Sequence, residues 1–202
     1  MASCDQEVAR TITTARSFMK IWTCLVALAL LAGCGDDGSS TTDDGPEDAT
    51  QVPPTTGKVA MREWLAAGHY KQWACEADAH DATIGVSPHG KQRICSNDAL
   101  AAHGDGEYPV GASAVKELYD AEGASIIGYA VYRHVKAGTD GGSWYWYEEV
   151  PADHPAPHDK DGIVADGLGD AGPAMSVCVS CHQAAGSDAA HPGHDFVYVQ
   201  VQ

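Results

Sequence analysis

Ser143-Trp144-Tyr145-Trp146-Tyr147-Glu148-Glu149-Val150 decides the fold. Aromatic residues are enriched in strands, and a period of two puts Trp144, Trp146 and Glu148 on one face and Tyr145, Tyr147 and Glu149 on the other. Working outward, Ser125–Lys136 and Val110–Tyr119 are likewise rich in Val, Ile and Tyr, and Gly and Asp clusters separate the three runs. Their short connections predict an antiparallel meander. In the first run Ala114, Lys116 and Leu118 share one face and Val115, Glu117 and Tyr119 the other. Met61–Tyr70 reads as a short helix with Trp64 and Leu65 on its apolar side, and Asn97–His103 as a second, capped by Asn97 or Ser96. Pro151–Gly172, with three Pro and four Gly, reads as a long loop. A helix is predicted from Pro173, carrying Met175–Gln183, and Phe196–Val201 alternates as a returning edge strand. The fold class is therefore α+β, a predominantly antiparallel sheet with a few short helices, one of them near the C terminus.

Length and charge bound the rest. The 202 residues suit one domain, and a formal charge of −16 opposes binding to nucleic acid or to an anionic membrane surface. Lys20 precedes an apolar run, Ile21–Gly33, of thirteen residues, too short to span a bilayer, that ends in Leu31-Ala32-Gly33-Cys34. A basic start, a short apolar core and small residues before a cysteine resemble a bacterial lipoprotein signal, with Cys34 the lipid-bearing residue. The organisation expected is a signal peptide over 1–33, an acidic flexible tether over 34–57 and a folded domain over 58–202. The tether carries Asp36, Asp37, Asp43, Asp44, Glu47 and Asp48 and no basic residue. This places the protein on the periplasmic side of the cell envelope, its only membrane contact a lipid anchor.

Export permits disulfides and covalent haem attachment. Of seven Cys, Cys4 and Cys24 precede the cleavage point and Cys34 takes lipid. Cys75 and Cys95 remain as a pair, read as a disulfide worth ~3 kcal/mol in the chain-entropy model or else as two buried thiols. Cys178-Val179-Ser180-Cys181-His182 is C-x-x-C-H, the pattern in which two thiols bond the haem vinyl groups and the adjacent His binds iron. The expected cofactor is one covalently attached haem c. Two other readings stand beside it: a zinc site completed by His191 and His194, and a plain or redox disulfide, the last without the thioredoxin-like βαβ pattern. Only twenty residues follow His182, and neither Met61 nor Met175 is placed to ligate the opposite face of an iron. Another His is the remaining source of a sixth ligand.

The pieces Ser87-Pro88-His89-Gly90, Arg93 through Asn97-Asp98, Tyr108-Pro109-Val110-Gly111, Val115-Lys116-Glu117, Gly142 through Tyr147, and the terminal CVSCHQAA and DFVYVQV, in that order, resemble the cytochrome P460 family from about Trp73 onward. The resemblance implies a mostly antiparallel, usually homodimeric fold holding a five-coordinate haem that meets hydroxylamine or nitric oxide and passes electrons to an unidentified redox partner. It matches Lys116 to the lysine bonded to the porphyrin edge, against the plainer reading of a solvated strand lysine. It matches Arg93 and one of Glu148 and Glu149 to polar catalytic residues on the open face: the carboxylate as base, the guanidinium as hydrogen-bond donor. Strand alternation lets only one of the two glutamates enter the pocket. The related cytochrome c′-β proteins bind nitric oxide without turnover behind a phenylalanine cap. Phe18 and Phe196 are the only Phe here, which favours the lysine-linked enzyme. A six-coordinate electron-transfer cytochrome is the third possibility.

Overall fold

The computed structural model describes residues 52–82 and 87–202. The expected signal segment, Cys34 and most of the tether lie outside the described residues. Helix α1 (Lys58–Ala67) opens the folded region. Its apolar residues Met61, Trp64 and Leu65, spaced three and four apart, form one buried stripe. Gly57 gives the helix no side-chain cap. Instead Asp166, distant in sequence, accepts the Lys58 amide at 2.8 Å and places a carboxylate at the positive end of the helix. Gly68, left-handed at φ 73°, donates its N–H to Leu65 and ends α1, and a 3-10 turn, His69–Gln72, buries Tyr70. The expected Met61–Tyr70 helix is thus displaced three residues toward the N terminus.

Seven strands follow: β1 (Ala74–Cys75), β2 (His80–Asp81), β3 (Lys91–Ser96), β4 (Ser113–Tyr119), β5 (Ile126–His134), β6 (Trp144–Glu149) and β7 (Ile163–Leu168). β3 to β7 form an antiparallel meander, each strand paired to the next, and β1 and β2 both pair with the outer edge of β3. Between β3 and β4 lies α2 (Asp98–Ala101), where the Asn97 side chain accepts the Leu100 amide as expected of a cap. Cys75 and Cys95 are direct cross-strand partners in β1 and β3, with their sulfurs at 2.05 Å, a disulfide distance.

The three expected strands are present. Other features differ from the sequence reading, among them the unexpected two-residue strands β1 and β2. β3 is a strand that was not expected, because its charged Lys91 and Arg93 hide the alternation. β7 lies within the expected Pro151–Gly172 loop. Its apolar signal is only Ile163-Val164-Ala165, followed by the strand-poor Asp166 and Gly167. Phe196–Val201 is not an edge strand: His194 and Val197 make one isolated bridge, and Val197, Val199 and Val201 lie across the sheet face, packed with Ala114, Trp144 and Trp146.

The sheet separates two cores. On one face α1 packs Met61, Trp64 and Leu65, and the turn after it Tyr70, against Cys95, Val115, Val131, Tyr145 and Tyr147. On the other, a C-terminal π-helix (Ala174–Val179), the short α3 (Ser180–His182) and the terminal segment pack against Ile94, Ala114, Trp144, Trp146 and Ala165. No helix among the described residues is long and apolar enough to cross a membrane.

The α1 side contains a closed ionic network. Glu117, 1% exposed, accepts the Tyr70 and Tyr119 hydroxyls at 2.6 and 2.8 Å and pairs with Arg93 at 3.5 Å. Removing one member of such a network leaves the others buried and uncompensated. Glu117→Ala is expected to lower the unfolding free energy by about 3 kcal/mol in urea denaturation, against a smaller loss for the partly exposed Arg93→Ala.

Candidate functional site

The face opposite α1 carries a cavity of about 350 Å³ with mostly apolar walls. Its floor follows from strand register. Ile94, Lys116, Ala130, Glu148 and Ala165 stand side by side across β3 to β7. Parallel to them run Ala114, Tyr132 and Trp146. The small Ala130 between Lys116 and Glu148 leaves space above the sheet, and two strand spacings hold those charges about 10 Å apart at the backbone. The roof is built by the C-terminal segment, which contributes Cys178, Cys181, His182, Tyr198 and Val199.

Cys178 is the penultimate residue of the π-helix, and Cys181 and His182 lie in α3, so the C-x-x-C-H motif straddles a change of helical hydrogen bonding. π-turns inside helices occur often at functional sites. Both thiols are free, Cys181 at the surface and Cys178 half-buried. Burial pushes the Cys178 thiol up to about 12, helped by the Glu148 carboxylate. Redox cysteines of C-x-x-C enzymes are depressed instead, and the wholly antiparallel sheet supplies no βαβ unit for such a site. The zinc alternative, with His191 and His194 joining the two thiols, finds no support in how these side chains are placed. Among the described residues no group of three or more His, Cys, Asp or Glu is placed to hold a metal ion.

His182 is oriented from behind. Its Nδ1 lies 2.6 Å from the Phe196 carbonyl, so Nδ1–H is the donor and Nε2 carries the lone pair. Burial, with the Lys116 cation, pulls the imidazole down to about 4, against the effect of the carbonyl, and keeps it neutral. Trp146, Tyr132 and Tyr198 surround the ring with centroids at 4.8, 5.8 and 5.4 Å. The carbonyl is delivered by strained backbone: Asp195 and Phe196, neither a glycine, lie consecutively at φ 41° and 68°. The Asp195 carboxylate accepts the Tyr108 amide at 3.3 Å. Gly193, at φ 92°, lies so close to Val197 that a side-chain carbon there would collide with the Val197 carbonyl. A fixed tautomer with a backbone acceptor behind it is the arrangement typical of a ligating histidine.

Haem fits these residues: two free thiols and a neutral, oriented imidazole border one largely apolar cavity. Lys116 lines the same cavity and is pulled down to about 8 by burial, an effect Glu148 and Glu76 oppose. Lys116 is half-buried at the cavity wall, which favours the cavity reading over that of a solvated strand lysine.

The expected catalytic residues separate. Glu148 is in the cavity, pushed up to about 7 by burial while Lys116 pulls the other way. Glu149 is on the α1 side, bonded to Arg62 at 2.7 Å and to the Tyr147 hydroxyl at 2.8 Å. Arg93 is also on that side, paired with Glu117, because alternation in β3 turns Gln92 and Ile94 to the cavity and Arg93 away. Arg93 and Glu149 are thus not cavity residues. In their place stand His89, which the sequence reading quoted within Ser87–Gly90 but gave no role, and His154, which it did not name. Both sit in turns where no periodicity marks a side; a strand assignment for β3 would have revealed Gln92 but neither histidine.

Comparison of the chain with family models, with curated proteins and with solved structures returned no match. The functional reading therefore rests on the cavity.

The two cavity charges make stability depend on pH. Between about 4.5 and 7 the folded protein keeps the Glu148 proton that the unfolded chain has lost, so stability falls as pH rises through that window. Between about 8 and 10.5 the unfolded chain keeps the Lys116 proton that the fold has lost, and stability rises again. Glu148→Gln is expected to flatten the acid limb alone, read as the midpoint of urea unfolding of haem-free protein from pH 4 to 11.

Proposed function

We propose that this chain is an exported, lipid-anchored monohaem c-type cytochrome of the cytochrome P460 kind, an oxidoreductase acting on hydroxylamine or nitric oxide at a five-coordinate haem. One observation carries the reading: Cys178, Cys181 and His182, the last with Nδ1 committed to Phe196 and Nε2 left to ligate, line the same apolar cavity as the half-buried Lys116. Cys178 and Cys181 would attach the porphyrin, His182 would ligate the iron and Lys116 would be the porphyrin-linked amine. When bound, the haem supplies the metal that takes the nitrogen species and accepts its electrons.

The chain's own residues supply the remainder. Glu148, buried and with a pKa near neutrality, is matched to removing a proton from a substrate N–H or O–H. Ile94, Ala114, Ala130 and Val164 keep the cavity walls apolar and suit a small neutral substrate. Trp146 and Tyr132 hold the His182 ring. The homodimer, the unnamed redox partner and the periplasmic location belong to the same proposal.

A non-catalytic nitric oxide carrier of the c′-β kind is the second reading, and the cavity lining supports the first over it. Phe196, the only Phe of the described residues, packs against Trp146 at 6.3 Å and is not among the cavity-lining residues, whereas Lys116 and Glu148 are.

The test is spectroscopic and kinetic. The loaded protein is expected to absorb at longer wavelength than an ordinary c-type haem, because a bond from Lys116 to the ring removes conjugation. Lys116→Ala is expected to restore the ordinary spectrum and abolish hydroxylamine oxidation while nitric oxide binding persists. An ordinary spectrum in the unmodified protein, with the Lys116 peptide at its unmodified mass, would favour the carrier.

A further inference from the structure

The buried acids divide into two kinds. Glu117 and Glu149, on the α1 side, each accept short hydrogen bonds from tyrosine and lie beside arginine. Glu148, on the cavity side, has a side chain only 10% exposed, and it faces His89, with Nδ1 3.6 Å from Oε1. That Nδ1 is itself buried without a hydrogen-bond partner. Two buried polar groups that face each other across a gap slightly wider than a hydrogen bond, at the wall of a cavity, are costly for folding alone. Catalytic hydrogen bonds are often this long before substrate enters and tighten when it does.

We propose that His89 is the positioning residue for Glu148. The neutral imidazole donates Nδ1–H to one carboxylate oxygen and holds the other ready for the substrate. This rests on the proposed function for its substrate class, a small molecule with an acidic N–H or O–H such as hydroxylamine. In the step assigned to Glu148, an O–H bond forms on the carboxylate and one N–H or O–H bond of the substrate breaks, its electron pair staying with the substrate. His89 changes neither charge nor proton count. Burial and the neighbouring Lys116, His182 and His154 all disfavour an imidazolium, so His89 orients without competing for the proton. The other groups facing the pair are Lys116 from β4, Gln92 from β3, His154 from the segment after β6, Cys178 from the π-helix and His182 from α3. Among these Gln92 also has a buried Oε1 without a partner.

The experiment uses the full, haem-loaded protein and its His89→Phe, His89→Asn and Glu148→Gln variants, each checked for haem content and circular dichroism. The Glu148 carboxyl band, identified by its loss in Glu148→Gln, is titrated by difference infrared spectroscopy, and kcat and KM for hydroxylamine are followed against pH. Loss of the Nδ1 donor is expected to raise the Glu148 midpoint by about one pH unit or more in His89→Phe. It is also expected to lower kcat about tenfold or more with little change in KM. His89→Asn, which keeps an N–H near the Nδ1 position, is expected to restore both. An unchanged midpoint in His89→Phe would overturn the proposal, as would a switch from a six- to a five-coordinate spectrum, which would make His89 an iron ligand. If no protein in the set oxidises hydroxylamine, the function reading fails, and the infrared midpoint still decides the role of His89. A His89→Phe variant that does not fold leaves His89→Asn to carry the same titration, where a midpoint raised as far as loss of the donor requires would count against the proposal.

Discussion

The period-two alternation of β3 to β6 is the constraint on which the molecule depends. One residue of slip would exchange the two faces, moving Glu117 and Glu149 from their tyrosines and arginines into the cavity and Lys116 and Glu148 under α1. As observed, the α1 face holds the hydrogen-bonded acids and the opposite face the loosely partnered ones. The first arrangement stabilises the sheet; the second keeps a lysine and a glutamate in an apolar chamber. Asp166 adds to the division, since its two oxygens tie the start of α1 and the Tyr145 hydroxyl together on the stable side.

Against that sheet the C-terminal segment acts as a frame for one imidazole. The turn from Gly193 to Phe196 places successive residues in left-handed backbone, and what it delivers is a carbonyl at His182 Nδ1. The sheet supplies the other side of the ring through Trp146 and Tyr132. Position, tautomer and charge state of His182 are thus fixed by groups from β5, β6 and the terminal loop, while the two thiols come from the helix immediately before it.

Much of this was legible from the residues. The aromatic run of β6 assigned Trp146 and Glu148 to one side and Tyr147 and Glu149 to the other, and the same rule placed Lys116 with Ala114. The C-x-x-C-H motif marked its three residues by spacing alone. Arg93 was misplaced because β3, with charges at Lys91 and Arg93, does not show an apolar alternation, so nothing told which way its guanidinium turns. β7 was hidden by Asp166 and Gly167, residues that sheets usually avoid but that here meet the start of α1 and the middle of β6. The terminal valines alternate because they pack on a sheet face, which alternation cannot distinguish from pairing at an edge. His89 and the Phe196 carbonyl were out of reach for different reasons. One lies in a turn, and the other is a backbone group whose role exists only once residues far along the chain have met.

The claim at the centre is that the cavity holds a haem bonded through the C-x-x-C-H cysteines, and peptide mass spectrometry of the unreduced protein tests it most directly. The account predicts that the peptide spanning Cys178 to His182 carries one haem on two thioether bonds and retains visible absorption after proteolysis. A peptide in which Cys178 and Cys181 are both free to alkylate, or are joined to each other, would contradict it.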